Sequence, residues 1–380
     1  MQINKILLIG TLTLCSLGNI PAQISPEIQA DGRVTFRYYN PEAKHVKLEA
    51  DLLFADEDSL RYTDKPRKWK MRKDSNGMFS LTTPPLSPET YTYRFRVDGH
   101  SLPDPLNPEK VWQVNHQWSV LAVGGTSQSN LYIDSSVHGQ LTRHTWYSPT
   151  ENIERRVLVY TPPGYEYSTD TLPVLYLLHG INSDETSWAG RGRAIQIIDN
   201  LIAQEQIQPM LLVQPDCNVG RRATQEIHGA LFANLLNYPA LCRGVVEDAF
   251  ASLMDFVNAN WRVSHLPEQR AIAGLSAGAM TAANIVAMYP DTFAMVGLFS
   301  PVVYRKQVPK ANRQSRDEKV VDTQYYVYIG KRDFFYSSGK RFCRRTRRQH
   351  GSCECLASHG GHTWRNWRLY LSDYLLKISQ

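Results

Sequence analysis

The sequence is short of the features that would place it across a membrane or on a nucleic acid. Beyond residue 22, no run is long and apolar enough to span a bilayer. Charge of one sign is missing too: 42 Lys and Arg stand against 36 Asp and Glu, a formal net charge of +6 at pH 7. The excess has no nucleic-acid-binding motif beside it, so no nucleic-acid partner is expected. There is no internal repeat and no low-complexity tract, which excludes repeat architectures. Cysteine is sparse, at 6 in 380 residues, and its spacing fits no common zinc pattern. What is present is ordinary for a globular protein. At 42% hydrophobic and 21% charged there is ample material for a buried core, and the length suits two domains or one large one.

The first residues read as an export signal. Lys5 supplies a positive start, Ile6 to Leu17 is apolar, and Ile20-Pro21-Ala22-Gln23 offers cleavage after Ala22. A secreted or periplasmic protein is therefore expected, with no membrane span. A lipid anchor at Cys15 is disfavoured, because Leu14 stands where a small side chain is required. Export permits disulfides among Cys217, Cys242, Cys343, Cys353 and Cys355, and in a monomer at least one of the five stays unpaired. Cys353 and Cys355 would bond to each other only with strain, and the pairing stays open.

Two organisations follow one another. Residues 24–123 hold short runs of period two, among them Val34–Tyr39, Val46–Ala50, Met78–Thr82 and Tyr91–Val97. Turns at Asp31-Gly32, Asn76-Gly77 and Asp98-Gly99 punctuate them. That pattern predicts a small antiparallel β-sandwich. Residues 124–137 are small and polar and read as a linker. From 138 to 380, continuous apolar runs at 174–178, 210–213, 271–273, 295–299 and 325–329 alternate with amphipathic stretches such as 194–204, 246–260 and 279–288. Runs of that kind are buried on both faces, as in a parallel sheet, so this half is expected to be an α/β domain.

The sharpest chemical signal is Gly274-Leu275-Ser276-Ala277-Gly278, between a short strand and a helical stretch. A nucleophilic serine on a strand-to-helix turn needs small neighbours, and the helix N-terminus aims its positive end at a developing oxyanion. Serine needs a base. His362 follows the last predicted strand and precedes a closing helix over 364–378; His359 is its rival in the same loop. The acid should fall between them at a strand's C-terminal end, where Asp333 lies. Asp317, Glu318 and Asp322 precede that strand, at the wrong edge of the sheet. Two backbone N–H groups should hold the oxyanion: that of Ala277, and that of Ile181 after Leu178-His179-Gly180. No metal or organic cofactor is needed for this chemistry.

These motifs together, with the Arg156–Tyr165 run, resemble the esterase D-type α/β-hydrolases, most of all carbohydrate esterase family 1 with its feruloyl and acetylxylan esterases. The resemblance covers residues 138–380 and implies Ser276, Asp333 and His362 as the triad. Trp188 matches a family tryptophan after the His-Gly loop, which implies a place lining the substrate site. Where that family often has Met-Gly-Gly after the serine, this chain has Ala277-Gly278-Ala279, residues still small enough for the turn. The N-terminal half is similar to the immunoglobulin-like modules of carbohydrate-binding family 48, through Val34–Tyr39, Tyr91–Gly99 and Asp104–Pro108. The fold expected is thus an α/β-hydrolase domain preceded by a small antiparallel β-sandwich. The resemblance implies release of ferulic, related hydroxycinnamic or acetyl acid from plant xylan, with a cell-wall polysaccharide or feruloylated oligosaccharide as partner. Two alternatives are siderophore-ester hydrolysis and a glycan-binding protein with a vestigial esterase domain. The basic run Lys340–Arg348 reads as a solvated helix face, with contact to an acidic glycan as the alternative.

Overall fold

The computed structural model describes residues 24–58, 62–113, 116–125, 137–224, 244–302, 322–350 and 352–380. The expected leader over 1–22, nearly all of the 124–137 connection, Cys242, Asp317 and Glu318 lie outside them, as does the later part of the Asn218–Arg243 segment that no motif explains.

The alternating runs near the N-terminus form two antiparallel sheets. One orders its strands Glu27–Ile28, Val34–Tyr39, Met78–Thr82 and Arg72–Lys73; the other runs Arg67–Lys70, Val46–Ala50, Glu89–Val97, His116–Val123 and Lys110–Gln113. Their inward residues meet in one core: Phe36 and Phe79 from the first sheet pack with Leu48, Tyr93 and Phe95 from the second. The Phe36 and Tyr93 rings touch edge to face at 4.9 Å. Gly77 closes one hairpin at φ 87°, and a Cβ there would lie 2.6 Å from Pro41 Cα, so the turn admits no other residue without movement.

The second half is one eight-stranded sheet. Its strands are β1 (Gln140–Ser148), β2 (Ile153–Thr161), β3 (Val174–Leu178), β4 (Leu211–Pro215), β5 (Arg270–Leu275), β6 (Met295–Phe299), β7 (Gln324–Gly330) and β8 (Cys353–Ser358), ordered β1-β2-β4-β3-β5-β6-β7-β8. The first two strands pair antiparallel and β3 to β8 are parallel. Strand β3 shows why its sequence is continuously apolar. Val174, Tyr176 and Leu178 face one core, with Phe250, Leu253 and Val257 of helix α2 (Val245–Asn260) and Ile285 of α3 (Ala277–Met288). Leu175 and Leu177 face the opposite core, with Ile197 and Leu201 of α1 (Ala194–Ala203) and Leu371, Tyr374 and Leu375 of the closing helix. Each fully buried aliphatic side chain contributes roughly 1.5–3 kcal/mol. Helices α4 (Tyr336–His350) and α5 (Trp364–Ile378) complete the layers.

The two halves meet through buried charge. Arg368 donates to Glu89 Oε1 at 2.6 Å, to the Thr90 carbonyl and to the Arg191 carbonyl. Arg191 lies 3.3 Å from Asp51 and 3.8 Å from Asp64, and Arg193 pairs with Glu109 at 2.8 Å. Beside β8, Cys343 is disulfide-bonded to Cys355, while Cys217 and Cys353 have no disulfide partner among the described residues. Among the described residues, no helix is long and apolar enough to cross a membrane.

Candidate active site

The carboxyl ends of β5, β6, β7 and β8 bring the expected side chains together. Ser276 is 4% exposed and takes φ 55°, ψ −116°, a strained conformation of the kind that costs roughly 1–3 kcal/mol and is held only where the surroundings dictate it. They do so here. Its N–H donates to the Phe299 carbonyl at 2.8 Å, and its own carbonyl accepts from Val302. A Cβ on Gly274 would sit 2.5 Å from the Gly278 carbonyl, and one on Gly278 would sit 2.2 Å from the His179 carbonyl oxygen. The two glycines let α3 press against β5 on one side and the end of β3 on the other.

His362 Nε2 lies 3.0 Å from Ser276 Oγ, and His362 Nδ1 lies 2.9 Å from Asp333 Oδ2. Asp333 is buried, and its other oxygen accepts the Phe335 N–H at 2.8 Å. Burial pushes this carboxyl up, but the hydrogen bond and charge of His362, with those from Phe335 and Ser300, outweigh it and hold it below its ordinary value. Asp333 thus stays ionised and fixes the imidazole with its proton on Nδ1 and Nε2 free to accept from the serine. The rival His359 is exposed, and among the described residues the imidazole hydrogen-bonded to Ser276 is that of His362. Asp322 is exposed before β7 and accepts from Ser352 at 3.2 Å, away from the imidazole.

The loop after β3 supplies the second side of the site. His179 is buried; its Nε2 accepts the Cys217 N–H at 2.9 Å, so Nδ1 carries the proton and donates to the Gly180 carbonyl at 2.8 Å. In a trans peptide the C=O and N–H point opposite ways. Tethering the Gly180 carbonyl therefore turns the Ile181 N–H away from His179. Neither the Ile181 nor the Ala277 N–H has a hydrogen-bond partner among the described residues. Behind this loop lies a buried ionic cluster: Arg156 pairs with Glu185 at 2.8 Å, and Arg221 reaches Asp216 at 3.4 Å and Asp184 at 3.6 Å.

Trp188 does not line the site. It is 1% exposed, donates Nε1–H to the Leu178 carbonyl at 3.0 Å and packs edge-on against Phe299 and Trp364. Its size and its one polar handle are both consumed beneath the loop that follows β3, so its place is in the core. The aromatic residues that do surround the imidazole are Phe334, Phe335 and Trp367, with ring centroids 4.5, 5.6 and 4.9 Å from that of His362. Phe334 is 73% exposed, next in sequence to Asp333. The sequence already set a phenylalanine next to the candidate acid, and the structure adds its exposure. Trp367 carried none, because its role depends on how α5 docks; its Nε1–H donates to Ser300 Oγ at 3.1 Å.

A parallel-sheet domain with a serine on a strained strand-to-helix turn, a histidine at 3.0 Å and a buried carboxylate behind it defines an α/β-hydrolase. Residues 148–378 match the family described as "Putative esterase", and the chain belongs to that family. Residues 22–114 match carbohydrate-binding module 48, the isoamylase N-terminal domain. The chain is 26% identical over 325 residues to an endo-1,4-beta-xylanase/feruloyl esterase of Xylanibacter ruminicola, an alignment covering 82% of this chain and 40% of that protein. It thus spans less than half the length of that relative. Among solved structures, the enterobactin esterase of Shigella flexneri superposes with a TM-score of 0.60 at 16% identity, covering 91% of this chain and 92% of that one. A ferulic acid esterase superposes at 0.50 with 21% identity, covering 64% and 99%.

Proposed function

We propose that the protein is an exported serine carboxylic-ester hydrolase. Its substrates are esters of ferulic, related hydroxycinnamic or acetyl acids on plant xylan side chains. The observation that carries the catalytic part is the continuous hydrogen-bonded chain from Ser276 Oγ through His362 to Asp333. Ser276 Oγ attacks the ester carbonyl carbon while His362 Nε2 takes its proton. The tetrahedral oxyanion is held by the Ile181 and Ala277 N–H groups, each donor worth roughly 3–4 kcal/mol in such sites. The intermediate collapses as His362 passes its proton to the departing sugar oxygen, leaving an acyl-serine. Water, deprotonated by His362, attacks the acyl carbon and frees the acid.

The substrate part is supported by the relationship to a xylanase/feruloyl esterase, by the module 48 match and by the bare Phe334 ring beside His362, on which a cinnamoyl ring can stack. Export is supported by Lys5, the apolar run to Leu17 and the Ala22 cleavage point. In the domain division proposed, residues 24–123 form the module and 138–380 the catalytic domain. The fold shared with an enterobactin esterase over 91% of this chain supports one competing substrate, a siderophore lactone. A spectrophotometric panel of methyl ferulate, methyl coumarate, an acetylated xylo-oligosaccharide and a catecholate trilactone tests the reading. Turnover of the hydroxycinnamates supports it, and turnover of the trilactone alone replaces it.

A further inference from the structure

Helix α4 carries six cations between Lys340 and Arg348, and Tyr336–His350 contains no acid. Its inner face is Phe342, Cys343 and Thr346, all buried. Two of the cations have local roles: Lys340 lies over the Tyr336 ring at 5.2 Å, and Arg347 donates to the Cys353 carbonyl at 3.0 Å. Arg341, Arg344, Arg345 and Arg348 remain, all exposed. Their spacing of i, i+3, i+4 and i+7 sets them on one helical face. None has a carboxylate within ion-pair distance among the described residues; Glu354 on the neighbouring β8 pairs with Lys377 instead. Like charges at this spacing repel one another, so the bare helix is under electrostatic load that an anionic partner relieves.

The position of the stripe ties it to the candidate active site. The Tyr336 N–H, at the start of α4, donates to the Asp333 carbonyl at 2.9 Å. At 1.5 Å per residue, Arg341 and Arg348 lie about 8 and 18 Å along the axis from that point. The arginines therefore run from the rim of the site away from it.

We propose that this arginine stripe docks an acidic polysaccharide, one bearing uronic-acid carboxylates along its chain, and so presents an ester on the same chain to Ser276. The proposal rests on the polysaccharide-ester reading above. Arginine rather than lysine fits the partner, because the planar guanidinium binds a carboxylate through two parallel hydrogen bonds. A linear chain with recurrent carboxylates matches a linear row of forks, whereas an isolated small ester does not reach beyond the first of them.

The test compares the full chain with its R341Q/R344Q/R345Q/R348Q variant. Binding is measured by affinity electrophoresis on glucuronoxylan, neutral arabinoxylan and duplex DNA, alongside kcat/KM on methyl ferulate. All four positions are exposed, and an unchanged Tm verifies folding. The wild type is expected to prefer glucuronoxylan to neutral arabinoxylan about ten-fold at low salt, from several weak charged contacts acting together. That preference should vanish in the variant and, in the wild type, at high salt, while methyl ferulate turnover is unchanged. Equal binding of both xylans, or a preference that survives the four substitutions or high salt, overturns the proposal. DNA bound as tightly as glucuronoxylan assigns the stripe to generic polyanion attraction and overturns it as well. A wild type that keeps the preference yet hydrolyses no methyl ferulate supports the docking and rejects the feruloyl substrate.

Discussion

Asp64, in the N-terminal module, accepts the main-chain N–H of Trp364 at 2.8 Å, two residues beyond His362 and 300 residues away in sequence. That N–H belongs to the first turn of α5, where helix donors have no intrahelical partner. A module matched to carbohydrate binding thus anchors the loop that carries the imidazole. Asp64→Ala should lower kcat about ten-fold with KM little changed, because a small displacement of a catalytic group is costly. Asp64→Asn keeps an accepting oxygen and should restore most of kcat. Equal losses in both variants, tracking a fall in Tm, would assign Asp64 a structural role only.

The same interface should respond to pH in an unusual direction. Burial raises the Asp51 carboxyl to about 6, partly opposed by Arg191 and reinforced by Asp64. An acid whose folded value lies above its unfolded one binds more protons in the folded state between the two. Its contribution therefore declines as pH rises through that window, from about 4 to about 6. Asp51→Asn mimics the protonated form. Between about pH 4 and about pH 7, the stability of the wild type relative to this variant should fall, by about 3 kcal/mol at most. Parallel curves from denaturant melts at the two pH values would remove the argument.

Trp188 gives a test of place. Trp188→Ala empties a fully buried site and should cost about 3–5 kcal/mol in a urea melt. Trp188→Phe, which keeps much of the volume, should leave KM for methyl ferulate within about two-fold, since the indole is buried beneath the loop after β3. A KM that rises ten-fold with Tm unmoved would return Trp188 to the substrate wall.

Phe334 should behave in the opposite way. Its ring is 73% exposed, so Phe334→Ala should leave Tm nearly unchanged. Stacking is worth about 0.5–1.5 kcal/mol, so kcat/KM on methyl ferulate should fall about two- to thirteen-fold while that on an acetyl ester holds. Equal losses on both esters would mean that the ring positions His362 and does not receive the acyl group.

What the sequence disclosed follows the range of the forces involved. Strands β3 and β6 are visible residue for residue, because burial on both faces demands an unbroken apolar run. Strand β8, Cys353–Ser358, is not: it lies at the sheet edge, with alternate residues exposed and a composition that matches no strand template. Gln140–Ser148, at the other edge, is polar for the same reason. Ser276, Asp333 and His362 are legible because each is tied to a local turn or strand end. Asp64 and Trp367 are not, because their roles exist only once the two halves and α5 have docked. Trp188 is not legible in the same way, because a large aromatic after a His-Gly loop serves a core as readily as a binding wall, and only its 1% exposure decides.

The claim on which the rest depends is that Ser276 is activated by His362. Intact-mass and peptide analysis after a fluorophosphonate probe tests it directly. One adduct on the peptide carrying Ser276 is expected, lost in Ser276→Ala and slowed at least about a hundred-fold in His362→Ala, as for removal of a general base. A wild type that takes up no probe, or labels elsewhere and keeps its ester hydrolysis in Ser276→Ala, would contradict the account.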